Sequence, residues 1–319
     1  MKKRVRILSL SLFVIFLISS CITFNHKNPY PNMEIVHYGN SQAYVFGNTS
    51  SSNRLIINIE GSGWDSVLGT RNDKRWLITR QGAQLLQVLN DTYTFFIPEK
   101  LNRQPGLDYS KEIGDRSNYT SERILDCYME SINGYLGEHS YSSIILIGSS
   151  EGAILLPLIY EKMVAKDSVK AMVSIAFGGL SLYESYRILS TSSQISQNFK
   201  EMYNHIIEVF DWMEDYKSKN ENINITPEED FYGFNYRWFD SFLRIRPFEY
   251  YRNIDIPILF VHGKKDQNVS VESTQYIQEN LPEKPYEYKY YKWAHQPNNY
   301  FDIVNLRNYI SEWIRNIDV

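Results

Sequence analysis

Gly148-Ser149-Ser150-Glu151-Gly152 follows the apolar run Ile144–Ile147 and precedes a helix-like segment, Ala153–Ala165. A strand that turns into a helix within five residues bends sharply, and glycine at both ends of the bend removes Cβ atoms that would clash there. Repeated along the chain, such alternation of strand and helix implies a mostly parallel sheet covered on both faces. The same turn singles out one side chain. A serine hydroxyl is a weak nucleophile unless it is exposed, beside a base and near fixed donors for a developing oxyanion. The tip of this turn exposes Ser150, and the helix start offers the free N–H of Glu151.

The rest of the chain reads as alternating strands and helices. Glu34–Tyr38 and Gln42–Phe46 flank Gly39-Asn40-Ser41 as a hairpin, and Arg54–Ile59 is an apolar strand. Spacing predicts a helix over Trp76–Leu89, a strand over Tyr93–Ile97 and a helix over Ser121–Leu136. Beyond the elbow come strands at Ala171–Ala176, Pro257–Val261 and Tyr286–Tyr291, with helices at Val271–Asn280 and Phe301–Ile317. Residues 181–252 form a long, aromatic and charged stretch without strand pattern, which predicts a helical insertion between core strands. The core is then 34–180 together with 253–319.

Two later strand ends carry what a Ser150 nucleophile needs. His262-Gly263-Lys264-Lys265-Asp266 follows the strand at 257–261, and Lys292-Trp293-Ala294-His295 follows the strand at 286–291. Loops after parallel strands gather on one edge of the sheet, so His295 can serve as base and Asp266 can hold its imidazole. His262 opens its loop and reads as a residue shaping that turn. His26, His37, His139 and His205 lie elsewhere, and Phe177-Gly178-Gly179 offers no rival carboxylate after the strand at 171–176. A second oxyanion donor is expected in Glu60-Gly61-Ser62-Gly63-Trp64, at Ser62 or Gly63.

Strand–Gly-Ser-Ser-Glu-Gly–helix, then His-Gly-Lys-Lys-Asp, then Trp-Ala-His resembles the α/β-hydrolase family over roughly residues 34–317. The resemblance implies an eight-stranded, mostly parallel sheet flanked by helices, a Ser150–Asp266–His295 triad, and a variable cap at 181–252 that shapes the substrate pocket. It departs from the family at the oxyanion loop, where many members have His-Gly and this chain has Glu60-Gly61.

The N-terminus carries Met1-Lys2-Lys3-Arg4-Val5-Arg6, an apolar stretch Ile7–Ile18, and Ser19-Ser20-Cys21. A basic start, a short apolar region and small residues describe an export signal over 1–20. Ile18-Ser19-Ser20-Cys21 also resembles a bacterial lipobox, which implies a lipid on Cys21, a tether over 21–33 and anchorage to a membrane of the cell envelope; the alternative is a secreted protein. Cys127, left alone, has no disulfide partner in the mature chain and sits in a helical pattern as a small core residue.

With a formal net charge of −4, scattered basic residues and a pI near 5.9, the chain lacks the basic face of a nucleic-acid binder. Dispersed histidines and the lack of a phosphate-loop motif predict neither a metal nor another cofactor. The expected partner is a small acyl substrate. The leading expectation is a serine hydrolase acting on an ester, thioester or amide, closer to a carboxylesterase than a peptidase. Glu228-Glu229-Asp230 leaves an amine-binding peptidase open. A surface binding protein that keeps the fold without catalysis is the alternative from another class.

Overall fold

The computed structural model describes residues 33–62, 67–71, 74–77, 88–101, 119–219, 236–297 and 299–317. Its centre is an eight-stranded sheet in the order β1-β2-β6-β3-β7-β8-β9-β10. The strands are β1 Glu34–Tyr38, β2 Ser41–Gly47, β3 Arg54–Ile59, β6 Thr94–Pro98, β7 Ser143–Ser149, β8 Val169–Ile175, β9 Ile258–Gly263 and β10 Tyr286–Tyr291. β2 runs antiparallel to both neighbours, and every pairing from β6 through to β10 is parallel.

Burial explains that order. β6 and β9 are buried at every position, as are Leu55–Ile59 of β3, while β1 and β10 at the two edges are partly exposed. Unbroken apolar strands need cover on both faces, and helices supply it. Helix α1, Ser121–Glu138, starts at Thr120, whose hydroxyl accepts from the Arg123 N–H, and turns Ile124, Leu125, Tyr128, Met129 and Ile132 inward. Helix α2, Glu151–Lys162, packs under the sheet and is buried over most of its circumference.

Between β8 and β9 come only helices among the described residues: α3 Leu182–Thr191, α4 Gln197–Lys219, α5 Tyr236–Leu243 and α6 Phe248–Tyr251. Ser181 and Glu184 close a capping box that fixes where α3 begins. The chain ends with α7, Glu272–Asn280, and α8, Tyr300–Ile317.

One expectation is corrected. Lys74–Leu77 forms strand β5, paired antiparallel with β4, Leu68–Arg71, so the helix expected over Trp76–Leu89 does not begin at Trp76. Trp76 pairs with Gly69 instead: a strand partner close in sequence captures the segment that helical spacing had suggested. Residues 78–87 of that expectation lie outside the described residues. Cys127 is half-buried rather than in the core, and receives a hydrogen bond from Ser41 Oγ at 3.4 Å.

The elbow glycines can be tested directly. A Cβ on Gly152 would run into the carbonyl oxygen of Ile59 and lie 2.7 Å from that of Glu60, both backbone atoms that cannot swing aside. Gly152→Ala is therefore expected to cost about 2–3 kcal/mol in urea unfolding. Gly137, with nothing within 4 Å of its would-be Cβ, should gain up to about 1 kcal/mol on replacement by Ala. Equal effects at the two positions would refute the close-approach argument.

Candidate active site

Ser150 sits at the junction of β7 and α2 with φ +52° and ψ −117°, a conformation that costs a non-glycine residue about 1–3 kcal/mol. Backbone bonds hold it there. Its N–H donates to Ile175 O of β8 at 2.8 Å, and its carbonyl accepts from Ala153 and Ile154 at the head of α2. The strained turn directs the hydroxyl out of the sheet edge, and Ser150 Oγ lies 2.9 Å from His295 Nε2.

His295 Nδ1 lies 2.8 Å from Asp266 Oδ2. The loops that carry the two residues are stitched together: Lys264 N–H donates to Tyr291 O at 2.8 Å and Lys265 N–H to Trp293 O at 3.0 Å. Asp266 Oδ1 accepts from the backbone N–H groups of Asn268 and Val269 at 2.8 and 3.0 Å. Burial would raise the Asp266 carboxyl, but hydrogen bonds and charge from His262 and His295 hold it well below the usual carboxylate range. It is ionised at neutral pH, and its acceptor fixes the Nδ1–H tautomer of His295, leaving Nε2 free to take a proton from Ser150.

His262 does more than shape a turn. It is fully buried, with Nε2 3.2 Å from Asp266 Oδ2 and 3.2 Å from Val269 O, and Nδ1 2.7 Å from Thr274 Oγ1. The insertion braces the same loop. Ser185 of α3 accepts from the Ser270 N–H at 2.6 Å, and the Tyr203 hydroxyl of α4 donates to Gln267 O.

The loop after β3 runs against the elbow. A Cβ on Gly61 would stand 3.2 Å from Ser150 Cβ and 3.2 Å from Ser149 O, and Ser62 next to it is exposed. The far side of this loop is pinned by a buried carboxylate. Glu99, just past β6, accepts from the Val67 N–H at 2.9 Å and its neighbour Lys100 N–H at 2.8 Å, and Tyr44 donates to its other oxygen at 2.5 Å. Gly63, Cys21, the signal and tether, and Glu228–Asp230 lie outside the described residues.

Glu151 supplies the elbow N–H, and its side chain is buried too. Burial pushes its carboxyl up to about 7, against the attraction of Lys100, the hydrogen bond from Trp238 and the nearby Tyr119 hydroxyl. Tyr128 of α1 also faces it. An acid whose folded value exceeds its unfolded one, here 4.5, stabilises the fold below the unfolded value and loses that stability as pH rises through the folded value. Wild type should therefore lose roughly 2–3 kcal/mol relative to Glu151→Gln between pH 5 and pH 8. Denaturant midpoints of both proteins across that range check the sign. A constant gap would mean that Glu151 stays ionised in the fold.

No family model and no curated protein sequence matches the chain. Solved structures do. The Butyrivibrio proteoclasticus protein Est1E superposes at a TM-score of 0.56 with 13% identity, over 89% of this chain and 98% of that one. The Pyrococcus furiosus esterase Pf2001 gives 0.56 and 12%, over 92% and 96%. The Pyrococcus horikoshii acylaminoacyl peptidase gives 0.56 and 12%, over 91% of this chain but 42% of its own. This is the α/β-hydrolase fold.

In α/β-hydrolase terms the strand after which each group comes is what sequence reasoning used: Ser150 after β7, Asp266 after β9 and His295 after β10. The structure brings these three into one hydrogen-bonded chain. Sequence reasoning missed Glu99, the contact of His262 with Asp266, and the burial of the Glu151 side chain. For Glu99 and His262 a signal existed, since each ends or directly follows an apolar strand on the edge that carries the elbow. Nothing in the sequence pointed to Trp238.

Proposed function

We propose that the chain is a serine hydrolase that cleaves a carboxylic ester, or a thioester or amide, through an acyl-enzyme on Ser150. The observation that carries the reading is the chain Ser150 Oγ–His295 Nε2–His295 Nδ1–Asp266 Oδ2, with links of 2.9 and 2.8 Å. Ser150 Oγ attacks the substrate carbonyl carbon as His295 Nε2 takes its proton. The tetrahedral oxyanion receives the Glu151 N–H and a second N–H from the loop at Gly61–Ser62 or Gly63. His295 returns the proton to the leaving oxygen, sulfur or nitrogen, and the acyl group stays on Ser150. Water then gives its proton to His295 and attacks the acyl-enzyme, and His295 returns that proton to Ser150 Oγ as the acid leaves. Asp266 keeps its charge throughout, and the reading assigns no cofactor.

Est1E and the Pf2001 esterase match over nearly their whole lengths, and this chain spans 42% of the peptidase; an ester is the first substrate class in this reading, with a peptidase as the alternative. The insertion between β8 and β9 is proposed as the cap that selects substrate. We also propose export and lipid anchorage at Cys21 to a bacterial membrane, on the basic, apolar and small-residue run that ends there.

A fluorophosphonate probe tests the chemistry. The expected result is covalent labelling of the wild type at Ser150, with no labelling of Ser150→Ala or His295→Ala of matched circular dichroism. Panels of p-nitrophenyl esters, thioesters and aminoacyl amides then define the leaving group. A folded wild type that resists labelling and turns over nothing would sink the hydrolase reading and favour a binding protein on a hydrolase fold.

A further inference from the structure

Glu151 carries two groups: the backbone N–H that the proposed mechanism assigns to the oxyanion, and a side-chain carboxyl bonded elsewhere. The carboxyl is buried, with the residue 2% exposed, and its Oε2 accepts from Trp238 Nε1 at 2.8 Å. Trp238 belongs to α5 of the insertion, 87 residues along the chain. Its indole is itself buried and wedged by Phe242, with ring centroids 4.8 Å apart, and by Phe239 edge-on at 5.0 Å. Helix α5 is in turn docked on the core, where the Ser121 N–H at the head of α1 donates to Ser241 Oγ at 2.9 Å.

The carboxyl thus lies where the elbow, the end of β6, α1 and α5 meet. Lys100 and Trp238 favour its charged form, and the Tyr119 hydroxyl lies close enough to do so too. Yet Oε1 makes no hydrogen bond of ordinary geometry among the described residues, although it is buried. A half-bonded acid buried at this point costs stability that a neutral residue of the same size would not. What the arrangement provides is a fixed side chain on the residue whose backbone must be fixed. The Ser150–Glu151 peptide is held through the Ser150 carbonyl by Ala153 and Ile154, and the bond to the wedged indole couples the same residue to α5.

We propose that Glu151 is a positioning residue that ties the oxyanion-donating turn to helix α5 through Trp238, so that docking of that part of the insertion sharpens the alignment of the donor N–H. The inference rests on the serine-hydrolase reading above. It gives the insertion a role in the chemical step beside its proposed role as a cap.

The test uses Trp238→Phe, which keeps an aromatic ring and removes the donor, and Glu151→Leu, which keeps bulk and removes the acceptor. Glu151→Gln, whose carbonyl oxygen can still accept from the indole, is the rescue variant. The readouts are kcat and KM on p-nitrophenyl acetate, the rate of fluorophosphonate labelling, and circular dichroism. Trp238→Phe and Glu151→Leu should each lower kcat and the labelling rate by about tenfold or more with KM within about twofold, since loss of a whole oxyanion donor costs about 10²–10³. Their combination should be no slower than either alone, and Glu151→Gln should stay within about threefold of wild type. Either variant suffices if the other fails to fold. Unchanged kcat, or a loss confined to KM, overturns the tie and leaves α5 a pocket wall. A wild type that does not label at all overturns the hydrolase reading and this inference with it.

Discussion

Ser150→Ala is expected to lower kcat by at least about 10⁴-fold on whatever ester the wild type prefers, while leaving the fold intact. In the proposed mechanism Ser150 Oγ forms the acyl-enzyme, and its 2.9 Å contact with His295 Nε2 is the route by which its proton leaves. Alanine keeps the backbone bonds of the turn, namely the N–H to Ile175 O and the carbonyl to Ala153 and Ile154. It also meets the same positive φ with the same Cβ. Stability should therefore change by no more than about 1 kcal/mol. His295→Ala should match this loss, and the double variant should be no worse than either single, because the two groups act in one proton transfer. Residual turnover would come from the oxyanion donors and substrate binding. More than a tenth of wild-type kcat in a folded Ser150→Ala would place the nucleophile elsewhere.

The parts of this site that could be read in the sequence are those that follow from strand order. β7, β9 and β10 are marked by apolar or aromatic runs, and parallel pairing forces their following loops to one edge, so Ser150, Asp266 and His295 could be assembled before any coordinate. The hairpin of β4 and β5 was not legible. Trp76-Leu77 fits a helical spacing as well as a strand, and only pairing with Leu68 and Gly69 decides between them. Long-range polar contacts were equally invisible. The place of Glu99 after an apolar strand could have marked the residue, but not its partner Val67, 32 residues away. The Trp238–Glu151 bond joins the insertion, where periodicity is weakest, to the elbow, where it is strongest. Local pattern cannot show a contact that exists only because α5 folds back onto α1.

Asp266→Asn should reduce kcat by about 10⁴-fold at pH 7–8, and the reason is one of tautomers. The carboxylate is an acceptor at every contact: from His295 Nδ1 at 2.8 Å, from the Asn268 and Val269 N–H groups, and from His262 Nε2 at 3.2 Å. An asparagine side chain brings an NH₂ into a site that offers only donors. If its oxygen keeps the two loop N–H groups, its NH₂ faces His295 Nδ1 and stabilises the tautomer with the proton on Nε2. That imidazole cannot accept the Ser150 proton. The same accounting gives a stability signature. The folded carboxyl lies below its unfolded value of 3.8, so the stabilisation it provides is complete above that value and is lost as pH falls through the folded one. The stability gap between wild type and Asp266→Asn should thus be flat from pH 5 to 7 and begin to narrow below about pH 4. Urea midpoints for the two proteins between pH 3 and pH 7, beside kcat at pH 8, test both halves. A folded variant within tenfold of wild-type kcat would mean that another group orients His295. A gap as wide at pH 3 as at pH 6 would mean that packing of the loop, and not the charge on Asp266, supplies the stability.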